Sequence, residues 1–163
     1  MERLILLRHG KAEPDSESGD DFDRRLAPRG VKESAAMGAH LAEMGLSPHV
    51  VLVSPAARAR ETWEAAAESF PAAEVTFRPD LYHADAAAIR AAAEASGLGK
   101  ATIMVVGHNP GLQELALLLL AEGAAPAGLM SRAARRVPTA AAAVFLIDDN
   151  GRPHFDGLFF PEH

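Results

Sequence analysis

The chain has no cysteine among its 163 residues, which removes disulfides, thiolate catalysis and cysteine metal sites in one step. It has no apolar run near the roughly 20 residues that span a membrane; the run at 115–121 reads as a buried helix. The apolar stretch at 4–7 is too short for a signal-peptide core and runs straight into Arg8-His9, so the cytoplasm is the expected location. Basic residues are not gathered on any one segment, and acidic residues outnumber them 22 to 16, for a net charge of −6. Nucleic acid is therefore not the expected partner, and neither is a membrane. No Gly-x-x-x-x-Gly-Lys-Ser/Thr loop is present, so a nucleotide-hydrolysing P-loop is excluded. There is no internal repeat, and a length of 163 residues fits one domain spanning 1–163.

What is present is an alternation of short apolar runs with helical patterns, the mark of an α/β layered domain with a mostly parallel sheet. Strands are expected over 4–7, 50–53, 75–77, 102–106, 141–147 and 155–159. Helices are expected from Pro28 to Gly45, from Ser54-Pro55 to about Ser69, over 86–95 with Gly97 ending it, and over 112–121. In the second of these, Ser54 reads as the N-cap and Pro55 as the first helical residue. Segment 14–25 is polar and acidic and reads as a surface loop, while Asp149-Asn150-Gly151 signals a hairpin turn. The biased segment 124–136 carries Arg132, Arg135 and Arg136, which either edge a site or lie on a solvated face, the second being the simpler reading.

Three of the strands end in unusual polar residues: Arg8-His9, then Ser54 to Arg58, then Gly107-His108. In an open parallel sheet those carboxyl ends share one edge, where such folds place their ligands. Two histidines and two arginines thus converge. Guanidinium groups match phosphate oxygens with forked, charge-assisted hydrogen bonds, and neighbouring arginines keep an imidazole neutral and able to accept a phosphoryl group. Asn109-Pro110-Gly111 opens a helix directly after His108, adding a positive helix end to the same edge.

Leu6-Leu7-Arg8-His9-Gly10 resembles the Arg-His-Gly signature of the histidine phosphatase superfamily, the group that includes cofactor-dependent phosphoglycerate mutases. Val53-Ser54-Pro55-Ala56-Ala57-Arg58-Ala59-Arg60-Glu61-Thr62 is similar to that family's Ser-Pro…Arg-Ala-x-x-Thr segment, and Val106-Gly107-His108-Asn109-Pro110-Gly111 to its second-histidine motif. Leu26-Ala27-Pro28-Arg29-Gly30 and Pro138-Thr139-Ala140 also fit. The resemblance spans nearly the whole chain in order. It implies a three-layer α/β/α sandwich and a phosphatase with His9 as nucleophile, acting without metal or other cofactor. It also implies that Arg8, Arg58 and His108 hold the phosphoryl oxygens, with Gly10 and Asn109 lining the same site. The chain lacks room for the large inserted subdomain of the mutases and lacks their general-acid glutamate. At the corresponding stretch His83 is a candidate acid, with Asp80 and Glu13 behind it.

This reduced architecture resembles the small bacterial phosphohistidine phosphatases. The implied substrate is a protein carrying phosphohistidine; a small phosphorylated metabolite is the alternative, and a non-catalytic phosphate-binding module a more distant one. Tyr82 and Phe22 are candidates to touch a substrate, whereas Trp63 suits helix packing. Asp21-Phe22-Asp23 has the spacing of aspartyl phosphotransferases but follows a polar loop instead of an apolar strand, so it is not read as a nucleophile. A metal-dependent hydrolase built on His9 and His108 is disfavoured because two guanidinium groups would repel the ion. Arg60 has Glu64 one turn on and reads as a bystander.

Overall fold

In a computed structural model, which describes residues 1–97, 99 and 101–161, six strands form one sheet in the order β3-β2-β4-β1-β5-β6. The strands are β1 (Arg3–Arg8), β2 (Val50–Val53), β3 (Glu74–Phe77), β4 (Thr102–Gly107), β5 (Ala142–Ile147) and β6 (Pro153–Phe159). The helices are α1 (Pro28–Glu43), α2 (Ala57–Ala67), α3 (Ala86–Ser96), α4 (Gly111–Glu122) and α5 (Ala127–Arg135). Strands β1 to β4 run parallel, and β5 returns antiparallel along β1 with β6 paired to it.

The period of two along a strand accounts for the layers. Leu4 and Leu6 of β1, with Ile103 and Val105 of β4, face one core that Ile89, Leu112, Leu115 and Leu119 of α3 and α4 complete. The intervening Ile5 and Leu7, with Met104 and Val106, face a second core under Met37, Leu41 and Trp63 of α1 and α2. A strand apolar on both faces must be covered on both, which is why β1 and β4 lie mid-sheet between helical layers. The outcome is the expected three-layer α/β/α sandwich, and no large inserted subdomain interrupts it among the described residues.

One local reading differs from the sequence expectation, and two others gain detail. Helix α2 starts at Ala57 with Ala56 as its N-cap, so Ser54-Pro55 precedes the helix and the Ser54 hydroxyl is committed elsewhere. The hairpin between β5 and β6 is wider than a two-residue turn, because Asp148 accepts hydrogen bonds from the Asn150 and Arg152 N–H groups and rounds off the corner. Segment 124–136 contains a true helix, and Arg132 from it packs over the Phe160 ring. Outside the site, Arg60 lies over Phe77, and Trp63 stacks on Phe70 in the core.

Candidate active site

The carboxyl ends of β1, β2 and β4 deliver Arg8, Ser54 and Gly107 to one edge, and the loops leaving them bring His9 and His108 together with ring centroids 5.2 Å apart. Both imidazoles are nearly enclosed, at 8% and 9% exposure, as is Arg58 at 7%. Backbone bonds fix the end of β1 closely: the His9 N–H donates to Gly107, and the Ala140 N–H is shared by the carbonyls of Arg8 and His9. This gives the Pro138-Thr139-Ala140 stretch a structural role. At Gly10 a Cβ would lie 2.6 Å from Ser34 Oγ and 2.7 Å from the Gly30 carbonyl, so only glycine lets α1 close over the loop.

Each histidine has one nitrogen committed. His9 Nδ1 lies 2.8 Å from the Gly10 carbonyl oxygen, which can only accept; Nδ1 therefore carries the proton and Nε2 the lone pair. His108 Nε2 lies 2.7 Å from Ser54 Oγ. That hydroxyl also accepts from the Ala56 N–H; we assign its proton to Nε2, which leaves the His108 proton on Nδ1. His108 Nδ1 is buried and has no hydrogen-bond partner in the protein, and the same holds for Arg8 Nε. Buried polar groups left without a partner point to a ligand such as an anion. Thr62 secures the far wall: it accepts the Gly10 N–H at 2.9 Å and donates to the Arg58 carbonyl at 2.7 Å, tying α2 to the His9 loop.

The electrostatics follow from burial. Desolvation pushes His9 down to about 3, opposed by the Gly10 hydrogen bond and reinforced by His108, Arg8 and Arg58. Desolvation likewise lowers His108 to about 4, with Arg58 contributing. Both rings are neutral at pH 7, as a phosphoryl acceptor and a neutral N–H donor must be. Arg8 is lowered by burial and then by Arg136, so Arg136 at the end of α5 does stand near the site. Arg8 and Asn109 both donate to the Val137 carbonyl at 3.0 Å, which holds them side by side.

The remaining expected residues fall into two groups. Gly10 and Asn109 lie at the site, but their N–H groups go to Thr62 and Val137, so they shape it from within. His83 is on the rim, exposed, with a positive φ of 63° and its ring centroid 3.9 Å from that of Tyr82. Asp80 turns away into a two-bond pair with Arg78 at 3.0 and 2.8 Å, which holds its carboxyl below the ordinary range and removes it as an acid. Glu13 is exposed on the loop after β1. Sequence reasoning missed Asp21, which the structure brings to Arg58 and Tyr82 from the polar loop. It also missed the partnership of Ser54 with His108, because a Ser-Pro pair before a helix reads as a cap.

Among the described residues no three His, Cys, Asp or Glu side chains gather as a metal-binding group. A cavity of about 890 Å³ lies at the opposite end of the sheet, between Met1, Leu4, Leu119 and Ile147. The chemistry-bearing groups, and not cavity size, therefore locate the candidate site.

The sequence profile of the histidine phosphatase superfamily (branch 1) matches residues 4–95. An uncharacterized Mycobacterium tuberculosis protein is 32% identical over 86% of this chain and 87% of its own length. An uncharacterized chloroplastic protein of Arabidopsis thaliana is 35% identical over 72% of this chain, which spans only 58% of that longer protein. Among solved structures, a candidate phosphohistidine phosphatase, SixA, from Agrobacterium tumefaciens has a TM-score of 0.85 at 27% identity over 98% of both chains. A protein histidine phosphatase SixA complexed with tungstate has a TM-score of 0.74 at 26% identity over 98% of this chain and 97% of its own. Phosphoglycerate mutase from Plasmodium falciparum shares the fold, with a TM-score of 0.64 at 20% identity over 99% of this chain and 94% of its own. The sequence order of the motifs, the layered sheet and these likenesses agree, and the chain belongs to the histidine phosphatase superfamily as one of its phosphatases.

Proposed function

We propose that the enzyme removes phosphoryl groups from phosphohistidine in a protein, through a covalent intermediate on His9 and without a metal ion. The observation that carries the covalent step is the His9 ring itself. Its Nδ1 proton is tied to Gly10, its Nε2 lone pair is free, and its pKa is depressed to about 3. Arg8, Arg58 and the Nδ1–H of His108 hold the phosphoryl oxygens and spread the charge that develops on them. Three of these groups are cations or N–H donors, a poor set for a divalent ion and a good one for an oxyanion.

Charge accounting favours a phosphoramidate. Phosphohistidine protonated on its other ring nitrogen already resembles the intermediate on His9. As Nε2 bonds to phosphorus and the substrate P–N bond breaks, the bonding pair returns to the substrate ring, which leaves neutral. No proton has to move, and no general acid is needed. In the second step water delivers its oxygen to phosphorus, both of its protons remain with the departing phosphate, and His9 regains its lone pair. The 98% coverage by SixA structures at 27% and 26% identity supports the same substrate class, since those proteins carry the names of phosphohistidine phosphatases.

His83 supports a second reading. An exposed histidine on the rim, beside Tyr82, is placed where it can protonate an oxygen leaving group, which a small phosphate ester requires. Phosphate release from a phosphohistidine peptide and from an aryl phosphate, both with chelator, separates the readings. We expect chelator-resistant release, faster from the peptide, that His9→Ala abolishes. Activity surviving in His9→Ala would defeat the covalent mechanism, and a strong preference for the ester would move the substrate to the metabolite class.

A further inference from the structure

The rim carries a carboxylate that the steps above leave unused. Asp21 sits on a short 3-10 turn, Asp21–Asp23, in the loop after β1. Its Oδ2 accepts from the Tyr82 hydroxyl at 2.7 Å and from Arg58 Nη2 at 3.0 Å, and its Oδ1 accepts from Arg24 Nη1 at 2.8 Å. Its main-chain carbonyl accepts from Arg58 Nη1 at 2.8 Å as well. The side chain nevertheless stays 45% exposed, and its charge is felt at His108. Asp21 therefore stands at the mouth, between the arginine of the anion receptor and solvent.

A carboxylate there is a disadvantage for binding phosphate alone, because like charges repel. Its position makes sense when the other half of the substrate is cationic. The surroundings suit a flat cation: Tyr82 has the His108 ring at 5.7 Å and the half-exposed Phe22 ring at 5.0 Å, so aromatic rings connect the buried histidine with the rim. We infer that Asp21 is a specificity-determining residue, selecting phosphohistidine by accepting a hydrogen bond from the N–H of the substrate's cationic phosphohistidine ring. A carboxylate offers about four lone pairs, and the Tyr82, Arg58 and Arg24 bonds fill three. The Tyr82 hydroxyl, then Arg24, with Arg58 also contributing, hold it ionised far below the ordinary carboxylate range. It accepts hydrogen bonds, then, and does not donate a proton. When the P–N bond breaks, the electron pair goes to the leaving ring, whose N–H stays in place. An ester leaves with growing negative charge, which the same carboxylate repels.

The inference rests on the function proposed above and is tested separately from it. The kcat/KM of wild type and Asp21→Asn is measured on a phosphohistidine peptide and on p-nitrophenyl phosphate. Loss of a charged hydrogen bond is worth roughly ten- to a hundredfold, so the peptide should suffer by that factor more than the aryl ester. An equal fall on both substrates would show that Asp21 only orients Arg58, and no fall would show that it does neither; each overturns the inference. A wild-type enzyme inert on the peptide but active on the ester would instead defeat the proposed function, whatever the variant does.

Discussion

The floor and the rim of the site are built in different ways. On the floor, Arg8, His9 and His108 follow directly from the ends of two adjacent strands, β1 and β4, that pair over their whole length from Arg3↔Thr102 to Arg8↔Gly107. Their positions are set by a ladder of backbone hydrogen bonds and by cores on both faces of the sheet. The rim consists of Asp21, Phe22, Tyr82 and His83, which come from two loops 60 residues apart and meet through side chains: a hydroxyl on a carboxylate, a ring edge on a ring face, an arginine between them. A rigid floor suits a reaction in which atoms must be aligned, and an adaptable rim suits the choice of what enters. Chemistry and selectivity should therefore be separable here, and mutations should pull them apart.

The largest effect belongs to the proposed nucleophile: His9→Ala should remove turnover on peptide and ester alike. Next comes Arg58→Ala, which strips the receptor of a charged donor and should lower kcat by about a hundred- to a thousandfold, or roughly 3 to 4 kcal/mol, again on both substrates. Steady-state rates on the two substrates check this; a loss confined to one of them would make Arg58 part of the rim. Ser54→Ala is expected to lower kcat/KM by roughly tenfold or somewhat more, because His108 loses the partner that assigns its tautomer while its own atoms remain. If that variant is indistinguishable from wild type, the Nδ1–H assignment on His108 falls.

The smallest effect is on stability. His9 is lowered to about 3 in the folded chain, against about 6.5 for an unfolded histidine, so the unfolded state binds the extra proton as pH falls. The contribution of the buried neutral ring is therefore complete above about 6.5 and declines from there towards about 3, by up to roughly 1.4 kcal/mol per pH unit. Urea denaturation should show a lower midpoint at pH 5 than at pH 7, and His9→Gln should show a smaller drop between the two. An equal drop in the variant would mean that His9 is not held neutral by burial.

Most of the floor was legible in the chain. Apolar runs at 4–7 and 102–106 read as buried strands, and Arg8-His9 and Gly107-His108 follow them without a gap. Of the rim, Phe22, Tyr82 and His83 were legible as candidates, but Asp21 was not. Its loop is polar and irregular, so it has no periodicity from which to read a direction, and its partner Tyr82 is distant in sequence. Ser54 misled for a different reason. The Ser-Pro pair fits a cap by local rules, but helix α2 starts at Ala57, leaving the hydroxyl for a histidine brought in by another strand.

The sequence by itself thus determined the layered α/β architecture and the group of residues at the strand ends, because alternating burial and strand polarity are local properties, and the resemblance of its ordered motifs pointed to the family. The tertiary structure alone decided which nitrogen of His108 is engaged and which loop carboxylate reaches Arg58. Those depend on hydrogen bonds between segments separated by 37 to 61 residues, whose pairing no local pattern encodes.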